Sequence, residues 1–291
     1  MSAIRAPESA ILWKDVWMLK QAPLPFTGQK RQFLKQFTQV LDQHIDNDGQ
    51  DWTIVDVFGG SGLLSHAAKQ AKPQAEIIYN DFDNYSNRLL AIGDTNRLRQ
   101  KLITLLKDIA NLQPLTNDLK QQVIETINAF DGFVDIDCLQ SWLLFSGQQV
   151  SSLDELYKKK MYQCIRLSDY PLAPDYLNGI TVVSQSYRDL IPQYIDKPNT
   201  LLVLDPPYVC TSQGAYKTAY FGMVEFLRLM NMVRPPFIFF SSTRSELPAY
   251  LTLVLEEKMS KWQNFDGYKT ISWTATLNKS ASYEDNLIYK F

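Results

Sequence analysis

The sequence predicts an α/β fold: a mostly parallel sheet interrupted by a mainly helical insert. Three observations carry that expectation. Short β-branched and apolar runs alternate with helical stretches in the first third and the last third of the chain. Between about 94 and 179 such runs are scarce, and leucines recur at helical spacing instead. Two strand-like runs stop at corners rich in glycine or proline, where parallel sheets place their working loops.

The elements follow in order. Pro25-Phe26-Thr27-Gly28-Gln29-Lys30 leads into an amphipathic stretch carrying Phe33, Phe37, Val40 and Leu41, which predicts a helix. Thr53-Ile54-Val55-Asp56-Val57-Phe58 reads as the first strand, with a glycine cluster after it and a helix from about Gly62 through Ala68. Glu76-Ile77-Ile78-Tyr79 is the second strand and ends in Asn80-Asp81-Phe82-Asp83. Leu98, Leu102, Leu105, Leu106, Ile109 and Leu112 predict one helix of the insert, and Leu119, Val123, Ile124 and Ile127 another. Pro171 and Pro174 mark the exit. Strands resume with Ile180 to Ser184, Leu201 to Leu204 and Phe237 to Phe240, and the tail reads as a hairpin of Lys269 to Thr276 with Asn286 to Tyr289. The expected division is a sheet domain of 1–93 and 180–291 and a helical domain of 94–179.

Composition narrows the function classes. The chain has 291 residues, 45% of them hydrophobic and 21% charged, so disorder and a long coiled coil are both poor fits. No apolar run reaches the roughly 18 to 20 residues of a membrane-spanning helix. Met1-Ser2-Ala3-Ile4-Arg5 lacks the layout of a secretory signal. Cys138, Cys164 and Cys210 lie far apart, which argues against a disulfide framework or zinc ribbon and for a reducing cytoplasm. With only His44 and His66, a His-rich metal site is excluded, and no metal is expected. Net charge is -2, from 29 Lys and Arg against 31 Asp and Glu, so any nucleic acid must be met by a local basic face.

Five constellations carry chemistry. In Asp56-Val57-Phe58-Gly59-Gly60-Ser61-Gly62 the glycines let backbone approach a ligand, and a helix N-terminus offers free N–H groups. A nucleotide or an amino-acid carboxylate suits such a turn, although an ordinary glycine turn reads the same way. Asp81, 19 residues after Gly62, is placed to accept from both hydroxyls of a ribose; the bland alternative is a helix cap, with Asp83 as a substitute ligand. Asp205-Pro206-Pro207-Tyr208 follows a buried strand directly. Two prolines there lock a turn and leave carbonyls aimed away from the sheet. Asp205 and the Pro206 carbonyl can accept both hydrogens of an exocyclic amine while Tyr208 stacks on its ring. In the lead-in, Lys30 can pair with a carboxylate and Phe26 can cover an adenine. In Ser186-Tyr187-Arg188-Asp189, Asp189 is placed either to accept from a cofactor amine or to cap a surface turn.

These segments, in this order, resemble the Dam-type (D12 class) DNA adenine-N6 methyltransferases, over roughly 23 to 93 and 180 to 291. The resemblance implies a Rossmann-like S-adenosylmethionine-dependent methyltransferase sheet, with the insert as a helical target-recognition domain. It implies that Phe26, Gly28, Lys30, Asp56, Phe58, Gly59, Gly60 and Gly62 bind S-adenosylmethionine, that Asp81 holds its ribose and that Asp189 holds its adenine. Asp205, Pro206, Pro207 and Tyr208 would be catalytic, acting on an adenine flipped out of double-stranded DNA. A restriction endonuclease is the partner such an enzyme can have. Phosphate contacts are expected from Arg97 and Arg99, near Lys101, and from Lys158, Lys159 and Lys160, against the plainer reading of solvated helix faces. The alternative target is RNA or cytosine N4; the Asp that heads the tetrad favours adenine.

Overall fold

The computed structural model describes residues 19–145, 147–209, 221–278 and 281–291; the first residues and Cys210 lie outside them. Seven strands form one sheet: β1 (Thr53–Asp56), β2 (Glu76–Asn80), β3 (Thr181–Val183), β4 (Thr200–Leu204), β5 (Phe237–Ser242), β6 (Lys269–Asn278) and β7 (Ala281–Lys290). Their order is β3-β2-β1-β4-β5-β7-β6. The first five are parallel, and β7 runs antiparallel to both β5 and β6. This is the Rossmann-like order with a closing hairpin, and chain direction across the sheet reverses between β1 and β4.

The strand sequences explain the layering. Every residue of β4 and β5 is buried, which requires cover on both faces. Leu201 and Val203 face one way, with Ile54, Ile77, Ile238 and Phe240, against α1 (Leu34–His44) and α2 (Leu63–Ala71). Leu202 and Leu204 face the other, with Val55, Ile78, Phe237 and Phe239. That second face is covered by α8 (Tyr187–Leu190), α9 (Met223–Met232) and α10 (Leu247–Glu256), numbered after the five helices of the insert region. β3 is the exception: it is an edge strand, with Thr181 and Val182 exposed.

The region after β2 holds α3 (Tyr85–Leu90), α4 (Ile92–Leu105), α5 (Asn117–Asn128), α6 (Ile136–Leu143) and α7 (Leu153–Lys158). Thr116, Asp135 and Ser152 cap α5, α6 and α7 through their side chains, which is why those helices begin where they do. Their core joins Leu98, Leu102, Val123, Ile127, Leu139 and Trp142, and takes in Ala22, Leu24 and Tyr85 from outside the insert. The expected boundary at 94 therefore falls inside α4. The expected helix through Leu112 also stops early, at Leu105. Beyond it the backbone pairs with a different segment: Leu112 N donates to Gln163 O at 2.7 Å and Leu115 N to Met161 O at 2.9 Å. Leu112 is turned to φ 65° in the process. Among the described residues no helix is long and apolar enough to cross a membrane.

Candidate active site

The C-terminal ends of β1 and β4 meet where the strand order reverses, so the glycine turn and the proline corner are neighbours by topology. The turn is braced from β2. Tyr79 donates through its hydroxyl to the Gly60 carbonyl at 2.7 Å, and its ring lies where a Cβ on Gly59 would have to go. Gly60 has φ 49°, and a Cβ there would press on the Phe26 ring at 2.8 Å. Glycine is thus required by close approach at 59 and by conformation at 60. Asn80 staples the ends of β1, β2 and the chain after β3, donating to the Val57 and Gln185 carbonyls at 2.9 Å each and accepting from Gln185 N at 2.9 Å.

Between turn and corner lies a cavity of about 360 Å³, within the size range of small-molecule sites. Its walls are mainly apolar. At one end Phe58, Tyr187 and Phe221 approach one another with ring centroids 5.7 to 6.0 Å apart. Glu225 closes that end, accepting from the Tyr187 hydroxyl at 2.7 Å, from Arg188 and from Arg228 at 2.9 Å. Arg188 holds the Glu225 carboxyl below its usual range. At the other end stand Phe26, Gly28, Lys30, Asp205 and Pro207.

The electrostatics concentrate at the strand ends. Lys30 Nζ lies 2.6 Å from Asp205 Oδ2, with both side chains largely buried. Burial pushes the Asp205 carboxyl up, and Lys30 pulls it back down. Asp56 sits behind the glycine turn. Its Oδ2 accepts from Ser65 Oγ at 2.7 Å, while its buried Oδ1 has no partner among the described residues. Burial pushes Asp56 up to about 7, opposed by Ser65 and assisted by Asp205. Asp285 on β7 accepts from Gln32 Nε2 at 2.8 Å and is also raised by burial. Glu246 accepts from Val209 N at 3.0 Å, which ties down the corner just past Tyr208.

Phe26, Gly28, Lys30, Phe58, Gly59, Gly60, Asp205 and Pro207 all line the cavity. Asp56, Gly62, Pro206 and Tyr208 stand behind or beside it: Gly62 starts α2 with φ 69°, Pro206 is buried, and Tyr208 is half-buried. Three of the expected residues stand elsewhere. Asp81 is buried and caps α3: Oδ1 accepts from Tyr85 N at 2.6 Å and from the Tyr79 hydroxyl at 3.1 Å, and Oδ2 from Ser86 N at 2.8 Å. Asp83, its substitute, lines the cavity instead. Asp189 is exposed and outside the cavity, because the single turn of α8 turns Tyr187 and Arg188 inward. Arg99 is fully buried, pairing with Asp169 and donating to the Arg166 and Leu167 carbonyls at 2.8 and 2.9 Å, so it cannot reach a phosphate.

The remaining basic residues differ among themselves. Arg97 is half-exposed but paired with Asp94 at 3.0 Å and Asp131 at 3.4 Å. Lys158 and Lys160 are exposed and Lys159 is partly so. A larger cleft of about 1000 Å³ shares Phe26, Thr27, Gly28, Gln29, Phe82 and Asp83 with the first cavity and runs along the helical region. Arg31 and Arg166 line it, with Phe145 and the amides of Gln32, Gln140, Gln148 and Gln149; the three lysines do not. Among the described residues no group of three His, Cys, Asp or Glu side chains is placed to hold a metal. Sequence reading missed Gln32, Glu225, Glu246 and Asp285. No motif surrounds them; Asn80 alone had a signal, in the Asn-Asp pair after β2.

The profile of the D12 class N6 adenine-specific DNA methyltransferase family matches residues 26–225. A curated relative from Haemophilus influenzae, named "Putative methyltransferase", is 54% identical over 274 residues, covering 94% of this chain and 93% of its own. A solved precorrin-6y C5,15-methyltransferase from Geobacter metallireducens aligns over 90% of each chain at 8% identity, with a TM-score of 0.35.

Proposed function

This chain belongs to the D12 class N6 adenine-specific DNA methyltransferase family, and from that premise we propose that it methylates N6 of adenine at particular sites in double-stranded DNA, with S-adenosylmethionine as donor. One observation carries the reading: the glycine turn and the Asp205–Pro207 corner line the same cavity at the switch point of the sheet. The cavity fits the donor. Its glycines at 59 and 60 leave no room for a Cβ, its far end is aromatic, and behind the turn Asp56 Oδ1 is buried without a partner among the described residues.

Phe58, Tyr187 and Phe221 would hold the donor's adenine, with Arg188 and Glu225 at its edge. Asp83 would take the ribose. Gly59 and Gly60 would carry the middle, and Phe26 and Gly28 the other end. When bound, the donor supplies an electrophilic methyl group on a sulfonium, which leaves as a neutral thioether with the electron pair of the broken S–C bond. The protein's part is to present N6. The lone pair of N6 is conjugated with its ring, so the amine is a poor nucleophile. Accepting its two hydrogens at Asp205 and at the Pro206 carbonyl turns the lone pair out of the ring plane and toward the methyl group. The surplus proton on the methylated nitrogen then leaves through Asp205 to water. No covalent enzyme intermediate arises, so positioning and electrostatics supply the rate.

The target base must leave the duplex, at a cost on the order of a few kcal/mol. Stacking on Tyr208 returns roughly 1 to 3 kcal/mol. DNA lying in the larger cleft, with phosphates on Arg31 and Arg166, supplies the rest. Lys158, Lys159 and Lys160 would add contacts outside the cleft. The cytoplasm, where DNA and reduced cysteines coexist, is the compartment this reading requires, and a restriction endonuclease cutting the same unmethylated site would be the natural partner.

The test is methyl transfer from labelled S-adenosylmethionine to unmethylated duplex DNA, single strands and RNA, followed by nucleoside analysis. N6-methyladenine in duplex DNA is expected. Label found only in N4-methylcytosine or in RNA overturns the reading.

A further inference from the structure

The lysine of the lead-in segment faces the proposed catalytic carboxylate, and its partners define what it does there. Lys30 Nζ is 2.6 Å from Asp205 Oδ2 and donates to the Gly28 carbonyl at 3.1 Å. The Lys30 side chain is 13% exposed and that of Asp205 18%, so water screens the contact little. We propose that Lys30 is a positioning residue for methyl transfer: it keeps Asp205 ionised and aimed, holding Oδ2 so that Oδ1 meets the substrate amine. This rests on the function proposed above and reassigns Lys30 from the donor's pocket to the acceptor's carboxylate.

The surroundings give the reason. Asp205 stands at the end of β4. Asp56, at the end of β1, and Asp285, on β7, both sense it, and like charges at these distances disfavour ionisation. Glu246 is committed to the corner backbone at Val209 N. Across the cavity Arg188 and Arg228 are committed to Glu225, so they offer little positive charge to the strand ends. Asp83 on the cavity wall adds a further carboxylate. Lys30 is thus the cation that pairs with Asp205, and it also lowers Asp285. Gln32, two residues further along the same segment, holds Asp285 at 2.8 Å and leaves Lys30 to Asp205. Remove the ammonium and burial prevails: Asp205 then takes up a proton at a higher pH than it does beside Lys30. A protonated carboxyl donates rather than accepts along that bond, and the amine loses its aim.

The sign follows. Activity requires ionised Asp205, so it falls as pH drops through that group's pKa. Lys30→Met should move the acid limb of the pH–rate profile upward, by about 1 to 3 pH units, while Lys30→Arg should leave it near the wild-type position. The experiment is single-turnover methyl transfer to unmethylated genomic DNA from pH 5.5 to 9, with calorimetry of S-adenosylmethionine on each variant. Expected for Lys30→Met is a loss at pH 6 at least about tenfold greater than at pH 9, with donor affinity little changed. An unmoved acid limb, or a loss found wholly in donor affinity, overturns the assignment. If Lys30→Met does not fold, Lys30→Gln is read by the same criteria. Carboxyl-carbon NMR of the wild type needs no variant: Asp205 is expected ionised at pH 7, and a protonated Asp205 there ends the proposal. A wild type that leaves DNA adenine unmethylated defeats the underlying function instead; one that methylates adenine while the variants keep its pH limb defeats only the role of Lys30.

Discussion

The strand ends and the helical region use charged residues in opposite ways. At the strand ends, Asp56, Asp205 and Asp285 are largely buried with fewer cations than carboxylates, and their carboxyls are pushed up. In the helical region the buried charges are matched. Arg88 is shared by Asp135 at 2.8 Å and Asp137 at 3.0 Å, and Arg99 is taken by Asp169 and two carbonyls. There each buried guanidinium has its carboxylate, although Arg99 Nε has no partner of its own among the described residues. Unbalanced burial costs stability and persists where a ligand supplies what is missing. Charge type alone does not separate the two regions; the completeness of pairing does.

The largest expected effect breaks the comparison at its centre. Asp205→Ala should lower methyl transfer by about 100-fold or more, measured by single-turnover label transfer on protein shown to be folded. Near-wild-type transfer would remove the strand ends from the chemistry. The mirror experiment is Arg99→Met, which should leave single-turnover rates intact and lower stability by about 2 to 3 kcal/mol in denaturant melts, since two carbonyls lose their donor. A rate loss without a stability loss would mean that Arg99 acts on DNA after all.

Asp56→Asn sharpens the contrast through pH. The folded protein holds the Asp56 proton up to about 7, and the unfolded chain releases it near 3.8. The native state therefore binds more protons between those values. This group's contribution to stability is fully present below 3.8 and is lost as pH rises through 7. Melts from pH 4 to 8 should show the variant gaining on the wild type, by on the order of a few kcal/mol at pH 8. Parallel curves would mean that Asp56 stays ionised in the folded protein. The smallest effect concerns DNA affinity. Arg31→Ala or Arg166→Ala should reduce the salt slope of binding by about 1, whereas Lys158→Ala should change it less. The reverse ranking would move DNA from the cleft to α7.

Both corners of the candidate site were legible because each is a local demand of the backbone beside a strand. Gly59 and Gly60 stand where Tyr79 and Phe26 exclude a Cβ, and the two prolines stop β4 at Asp205. The carboxylates at 81 and 189 were not legible, since a cap and a ligand share one local signature. Only the structure shows that Asp81 accepts from two backbone N–H groups of α3, at Tyr85 and Ser86. Arg99 misled for a related reason: its charge is visible in the sequence, but its burial is not.

The amino-acid order by itself determined the sheet, the helical interruption and the two corners, because periodicity, glycine and proline act over a few residues. Tertiary structure alone decided which charges face one another. Gln32 meets Asp285 across 253 positions of chain, and Lys30 meets Asp205 across the sheet's switch point. Coulomb interactions depend on distance and burial in space, and neither can be read along the chain.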